Sequence, residues 1–291
     1  MKIGLVILNY KDADRTLALA GRAAAYPSID EICLVDNASP DDSFERLQEF
    51  CAQTKRAKAL RAEENGGYAK GNNLGLRYLM QQRHCSMLMI ANPDVSFEES
   101  VVVQLREAFA SHPEYGVLSP RMKNADGTYS DRPYLQLPTF LQGVGLCFYS
   151  FNRIYERLHP YDICDDGDGI MTVDAVQGSL WAVRAEALER AGFLDEETFL
   201  FYEEMAFAMR LRANCPEYKE GLLLGCEYLH NHSASIRSVL SEMNIYRIYM
   251  QSKLYYEEHY HHAAGLRRLI LRLAIAVSVT EKRCMLMLRS R

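Results

Sequence analysis

The 291-residue sequence predicts an α/β fold: a mainly parallel central sheet with helices on both faces, plus a C-terminal helical appendage. Two observations carry that expectation. Short continuous apolar runs, the pattern of strands covered on both faces, alternate with helix-period segments. Polar residues stand directly after these runs, along what would be the ligand-binding edge of an open sheet. Composition agrees, since 48% hydrophobic and 24% charged residues describe a soluble globular chain rather than a disordered one.

The elements follow in order. Residues 2–8 read as a first strand, and the absence of a small-residue cleavage site argues against a signal peptide. Asn9 and Tyr10 stand at its carboxyl end, before a helix over 14–25. A second strand, 31–35, ends in Asp36-Asn37; Ser39 is expected to cap a helix with Pro40 at its first position and Asp41 and Asp42 in its first turn. A short strand at 57–61 leads into Glu64-Asn65-Gly66-Gly67-Tyr68-Ala69-Lys70-Gly71-Asn72-Asn73-Leu74-Gly75, with a helix to about 82.

The centre of the chain is the apolar run 87–91, which Asn92-Pro93 ends by removing a ladder donor. Asp94 is thereby held at the strand's carboxyl edge. Ser96 and Glu99 read as a capping box for a helix over 97–110, followed by a strand at 116–120. The pattern weakens from 122 to 170, where a hairpin is expected at 124–127 and the acidic run 165–169 reads as a solvated turn, lacking the twelfth-position Glu of a calcium loop. Order returns at 173–176 and 180–183 around Gln177-Gly178-Ser179, then in a helix over 185–191 ended by Gly192. An aromatic cluster, Phe199 to Tyr202, precedes Glu203-Glu204 and a helix reaching 212. Adjacent carboxylates in apolar surroundings have raised pKa values, which marks them as a candidate functional pair; a helix first turn rich in Glu is the equal alternative.

Several function classes are excluded. The first strand is followed by no glycine, so the dinucleotide fingerprint is missing, and Gly66 to Gly71 lacks the Lys-Ser/Thr of a phosphate loop. A nucleotidyltransferase wants a basic glycine-rich signature near its first strand, also missing. Nothing indicates a nucleic-acid partner. At the edge of the central strand stands an isolated carboxylate, Asp94, suited to Mg²⁺ or Mn²⁺ shared with substrate phosphates, with an ordinary Asn-Pro-Asp turn as the alternative. Beside it lies a turn of backbone N–H groups, asparagines and Lys70 suited to a base, ribose or diphosphate. The eight cysteines show no metal-ligand spacing and read as reduced core residues of a cytoplasmic protein.

Taken in order, Asn9-Tyr10, Val35-Asp36-Asn37, Asn65-Gly66-Gly67-Tyr68 with Gly71-Asn72-Asn73, Asn92-Pro93-Asp94, Gly178-Ser179, Gly192-Phe193-Leu194-Asp195 and Tyr202-Glu203-Glu204 resemble a known family. It is that of the family-2 inverting glycosyltransferases of GT-A fold, in particular the rhamnosyltransferase-like branch of bacterial surface-polysaccharide assembly. The resemblance implies a GT-A domain over 1–236, with a nucleotide-binding half at 1–121 and an acceptor half at 122–236, and a separate segment at 237–291. It implies a nucleotide-diphosphate sugar donor, a saccharide or lipid-linked acceptor, and Mg²⁺ or Mn²⁺. Tyr10 and Asp36 match positions holding the nucleotide, Tyr10 by stacking and Asp36 by accepting from the base, with Asn9 beside them as a further candidate contact. Asn65 and Asn73 match the loop beside the nucleotide and its sugar, and Lys70 in the same glycine-rich turn is a candidate contact there. Asp94 matches the last acid of the D-x-D element, with Asn92 at its first position. Glu204 matches the general base, with Glu203 beside it. His230, in a His-x₄-Ser segment ending at Ser235, matches a metal or phosphate contact.

Two departures stand out. The family commonly reads E-D-x-D where this chain has Glu203-Glu204-Met205-Ala206, a longer base and no second acid. Glu reaches about one methylene further, and misplacement by about 1 Å can cost roughly 10² in rate. The rival reading is a non-catalytic nucleotide-sugar-binding paralogue acting as a partner subunit.

From Arg237 onward ten Lys/Arg stand against four Asp/Glu, a balance of +6 that leaves −11 for the rest. Residues 263–291 are helical by pattern, with Arg267, Arg268, Arg272, Lys282, Arg283 and Arg289 inside an arc of about 160°. Leu266, Leu269, Ile270, Leu273, Val277 and Leu288 lie opposite. The expectation is a helix lying in an anionic membrane surface, on the inner face of the cell membrane. The alternative is a helix packed on the domain or on a dimer partner; Leu271 and Ile275 interrupt the basic face.

Overall fold

The computed structural model describes residues 1–165, 167–231 and 241–289. Its first half alternates strands and helices: β1 (Ile3–Asn9), α1 (Ala13–Ala24), β2 (Glu31–Asp36), α2 (Ser43–Gln53), β3 (Ala57–Arg61), α3 (Gly67–Arg77), β4 (Met87–Ala91), β5 (Val95–Ser96), α4 (Glu99–Ser111) and β6 (Tyr115–Asn124). The second half adds α5 (Phe140–Gly145), α6 (Tyr149–Leu158), β7 (Ile170–Val173), β8 (Leu180–Arg184), α7 (Ala185–Ala191), α8 (Glu203–Asn214) and β9 (Lys219–His230). Two long helices follow, α9 (Glu242–His259) and α10 (Gly265–Arg289).

One mixed sheet runs β3-β2-β1-β4-β8-β6-β9-β5, with β7 paired to β9. The four strands at the β3 end of the sheet are parallel, β2 pairing with β3 and β1 with both β2 and β4, and the apolar runs of β1, β2 and β4 suit that placement. Pleat alternation divides the core. Ile3, Leu5 and Ile7 join Leu19, Val102 and Phe109 on one face, while Val6, Leu88 and Ile90 join Leu76, Trp181 and Phe207 on the other. Each such side chain contributes about 1.5–3 kcal/mol by burial, which pins the strand register.

That register builds the site. β8 runs antiparallel to β4, with Ala91 opposite Leu180, so Gly178-Ser179 arrives beside the end of β4 and the Asn92 N–H donates to the Ser179 carbonyl at 2.8 Å. β5 pairs with the end of β9, Val95 opposite His230.

Some local expectations are corrected. α2 begins at Ser43, not behind Ser39, because the Ser39 hydroxyl is occupied by the Lys11 N–H at 3.0 Å and the Asn9 amide at 3.3 Å. The Ser96–Glu99 capping box does not form; the Glu99 carboxylate accepts instead from the Ser28 N–H at 2.8 Å. Gly192 does end α7, at φ 87°. All eight cysteines are free, but Cys164 and Cys284 are exposed rather than in the core.

The C-terminal helix is oriented against expectation. Leu271 and Ala274 are buried against Phe140, Cys147 and Ala263, with Ile275 alongside, so the residues that interrupt the basic arc are those that pack. The cations turn with them toward the body. Arg268 and Arg272 pair with Glu258, Lys282 with Glu242, and Arg267 lies over the Phe140 ring. Leu266, Leu269, Ile270, Leu273, Val277 and Leu288 are left facing solvent. No helix among the described residues is long and apolar enough to cross a membrane.

Candidate active site

A cleft of about 990 Å³ opens at the carboxyl ends of β1, β2 and β4, where the parallel strands leave their terminal polar residues. Its size is that of a site for a ligand larger than a simple metabolite. Tyr10, Asn65, Asn92, Asp94, Glu203, Glu204 and His230 all line it.

One wall is built by the turn into α3. The Asn37 amide donates to the Asn65 side-chain oxygen at 2.8 Å and the Gly67 carbonyl at 3.0 Å, which orients Asn37 and leaves its own oxygen buried without a partner among the described residues. An acceptor so placed on a cleft wall suits a ligand N–H or hydroxyl. Four expected contacts lie elsewhere. Asn9 and Asp36 are fully buried beneath this wall: the Asn9 amide donates to Asp36 at 2.8 Å, and the Ser39 N–H takes the other Asp36 oxygen at 2.9 Å. They brace the strand ends rather than line the cleft. Because α3 starts at Gly67, Lys70 falls on its outer face, paired with Glu64 at 2.7 Å. Asn73 falls on its inner face, where its amide donates to the Leu194 carbonyl at 2.9 Å and its oxygen accepts from the Leu194 N–H.

At the end of β4, Asp94 is 7% exposed, and the β5–β9 pairing sets His230 Nε2 3.3 Å from its Oδ1. Among the described residues no three metal-ligating side chains cluster. Two ligands are nonetheless sufficient for a cation that takes its remaining oxygens from phosphates and water. Ser233 to Ser235 of the His-x₄-Ser segment lie outside the described residues.

The carboxylate pair is delivered by a strained turn. Phe201 and Tyr202 both hold left-handed φ values, 73° and 72°, which cost of order 1–3 kcal/mol each and persist only where packing over-determines them. Two neighbours do so. The Tyr68 N–H donates to the Phe199 carbonyl at 2.9 Å, an approach only Gly67, at φ 88°, permits. From the other side the Ser252 hydroxyl donates to the Leu200 carbonyl at 2.7 Å.

Burial raises both carboxyl pKa values, Glu203 the more because the Glu204 charge adds to it. One Glu203 oxygen has no partner among the described residues, which adds to the cost of charging this buried group. Glu204 retains the N–H of Gly178 and its own N–H, which favour its ionised form. The longer base has room because residue 178 is glycine: a Cβ there would sit 2.7 Å from the Glu204 carboxyl carbon. Ala206 is buried, so a second acid would have no solvent.

Sequence reasoning assigned no role to Tyr68, Gly178 or Tyr249. The Tyr68 hydroxyl donates to the Gly178 carbonyl at 2.6 Å, and Tyr249 brings α9 to the cleft wall. An ordinary aromatic on a distant helix carries no signal of this.

The model of glycosyl transferase family 2 matches residues 6–185, from β1 through the start of α7. The chain belongs to glycosyl transferase family 2. The chain is 25% identical over 212 residues, 72% of its length, to the low-salt glycan biosynthesis hexosyltransferase Agl10 of Haloferax volcanii, of which it spans 61%. In structure it is similar to S. aureus TarS 1-349 in complex with UDP-GlcNAc (TM-score 0.57, 15% identity, 96% of this chain and 72% of that). It is also similar to the mannosyltransferase PcManGT of Pyrobaculum calidifontis in complex with GDP-Man and Mn²⁺ (TM-score 0.59, 14% identity, 96% of this chain and 73% of that). The chain has the GT-A fold, with C-terminal helices added to its mixed sheet.

Proposed function

We propose that this glycosyltransferase moves a hexose or 6-deoxyhexose from a nucleotide-diphosphate donor to a hydroxyl of a saccharide or lipid-linked acceptor, with inversion at the anomeric carbon. The observation that carries this reading is that Glu203-Glu204 and Asp94-His230 open onto one cleft. Glu204 takes the proton as the acceptor oxygen forms its bond to the anomeric carbon and the bond to the diphosphate breaks; such a base contributes roughly 10²–10⁴-fold. Burial and the neighbouring Glu204 charge both raise the Glu203 pKa, which disfavours a second charge beside the acceptor. Asp94 and His230 would hold Mg²⁺ or Mn²⁺, which when bound neutralises the diphosphate leaving group. Tyr10, Asn37 and Asn65 face the nucleotide.

The hexosyltransferase relative and the nucleotide-sugar complexes of the structural neighbours support the donor class. The Asn92-Pro93-Asp94 form of the metal element resembles the rhamnosyl branch and supports rhamnose as the sugar. A melting-temperature screen of UDP-GlcNAc, GDP-mannose and dTDP-rhamnose, with and without Mn²⁺, tests the reading, because ligands of the folded state raise its stability. No shift with any nucleotide sugar in Mn²⁺ would overturn it.

The outward apolar face of α10 supports placing the enzyme on the cytoplasmic surface of a membrane. That outward face carries Leu266, Leu269, Leu273 and Leu288, side chains suited to shallow insertion at the headgroup boundary of a lipid surface.

A further inference from the structure

We propose that Lys253, on α9, is a positioning residue for the base, acting through Tyr202; the proposal rests on the assignment of Glu204. Lys253 is 1% exposed and Glu257, one turn on, is 0% exposed. The Lys253 Nζ lies 3.5 Å from Glu257 Oε1, and the other Glu257 oxygen lies 2.6 Å from His261 Nδ1. Burying two charges is costly where an exposed pair would tie the helix equally well. What burial gains here is reach: the ammonium donates to the Tyr202 hydroxyl at 3.3 Å, and that hydroxyl donates onward to Tyr249 at 3.3 Å.

Tyr202 is the left-handed residue directly before Glu203-Glu204, at the N-terminus of α8. Its ring is held between Tyr249 and Tyr256, with centroids at 5.3 and 5.2 Å. Three contacts from one helix therefore converge on the strained turn: Ser252 on the Leu200 carbonyl, Lys253 on the Tyr202 hydroxyl, and Tyr249 on both aromatic rings. The rigidity of α9 is thereby transmitted to the angle at which the carboxylate pair enters the cleft. Lys253 touches no reacting atom. A fixed cation at the Tyr202 hydroxyl selects one rotamer of that ring, and with it the backbone of the turn.

The test uses the full chain and whichever of UDP-GlcNAc, GDP-mannose or dTDP-rhamnose the wild type turns over. K253M and Y202F are expected to lower kcat at least tenfold while donor Kd and KM stay within about twofold. The K253M/E257L double variant removes the buried charge left behind by the single change, so it recovers thermal stability without recovering kcat. Full kcat in the double variant would overturn the proposal, showing that Lys253 only neutralises Glu257. So would a fall in donor affinity that tracks kcat. E204Q assayed alongside separates the two readings: E204Q at the wild-type rate overturns the base assignment and this proposal with it. An inactive E204Q with a fully active double variant overturns this proposal alone.

Discussion

Substituting Gly178 by alanine probes the base with a single methyl group. Residue 178 has no left-handed backbone, so the change strains nothing locally; its effect is steric. The new Cβ would stand 2.7 Å from the Glu204 carboxyl carbon and 3.0 Å from its Cγ, where ordinary contact begins at 3.4 Å. With the near oxygen closer still, the carboxylate must withdraw by about 1 Å, a displacement that costs roughly 10² in rate when the group performs the chemistry. The Asn37-Asn65 wall and Asp94 are untouched. Gly178→Ala should therefore lower kcat about 100-fold with donor KM and nucleotide Kd unchanged, read by steady-state kinetics and calorimetric titration. Wild-type kcat would refute the placement of Glu204 against this backbone. A parallel loss of donor affinity would assign the residue to the donor side instead.

Other consequences follow from the same geometry. Asp94→Ala should abolish the Mn²⁺-dependent part of nucleotide binding with an unchanged far-UV spectrum; undiminished Mn²⁺-dependent affinity would remove Asp94 from the metal site. Glu220 is pushed up to about 8 by burial, its one strong contact being the Val176 N–H at 2.9 Å. Its folded pKa lies above the unfolded 4.5, so the native state binds the extra proton between those values and stability falls as pH rises from about 4.5 to 8, then levels. Glu220→Gln removes that cost, worth about 3 kcal/mol at pH 7 and nothing near pH 4. Denaturant unfolding of both proteins at pH 4.5 and 7.5 checks the sign; identical pH dependence would contradict it. On α10, Leu269→Glu with Leu273→Glu should abolish sedimentation with vesicles rich in phosphatidylserine while leaving kcat on a soluble acceptor intact. Retained sedimentation, or a wild-type dimer that the pair of changes dissolves, would reject the membrane reading.

The sheet was legible because strands buried on both faces write themselves as apolar runs. Residues 87–91, an apolar run buried throughout, were located to the residue; so was the half-buried edge strand 57–61, and Gly192 marked a helix end by its left-handed backbone. Local polar signals were less faithful. Ser39 and Glu99 carry capping chemistry, but partners distant in sequence, Asn9 and Ser28, claim their oxygens. Lys70 and Asn73 were misplaced for a different reason: once α3 begins inside the glycine-rich stretch, helical period rather than loop geometry decides where they point. β9 escaped notice because its pairing slips. Its partners on β6 advance one residue, Pro120 to Arg121, while β9 advances from Leu223 to Glu227, and the strand's alternation breaks there. The tail shows the limit of a helical wheel, which separates faces but does not say which one turns to solvent. Here ion pairs to Glu242 and Glu258 drew the cations inward.

The most direct test of the account compares Glu204→Gln with Glu203→Gln in one transfer assay over a pH series. The account predicts that Glu204→Gln keeps donor affinity and loses at least 10² in kcat. Glu203→Gln, replacing the carboxyl whose charging is the more disfavoured, should retain most activity. The wild-type kcat should rise with pH along an acid limb lying above the ordinary carboxylate range, because burial raises the Glu204 pKa and only its ionised form accepts the proton. Glu203→Gln inactive with Glu204→Gln active would contradict the assignment and move the base one residue along the helix.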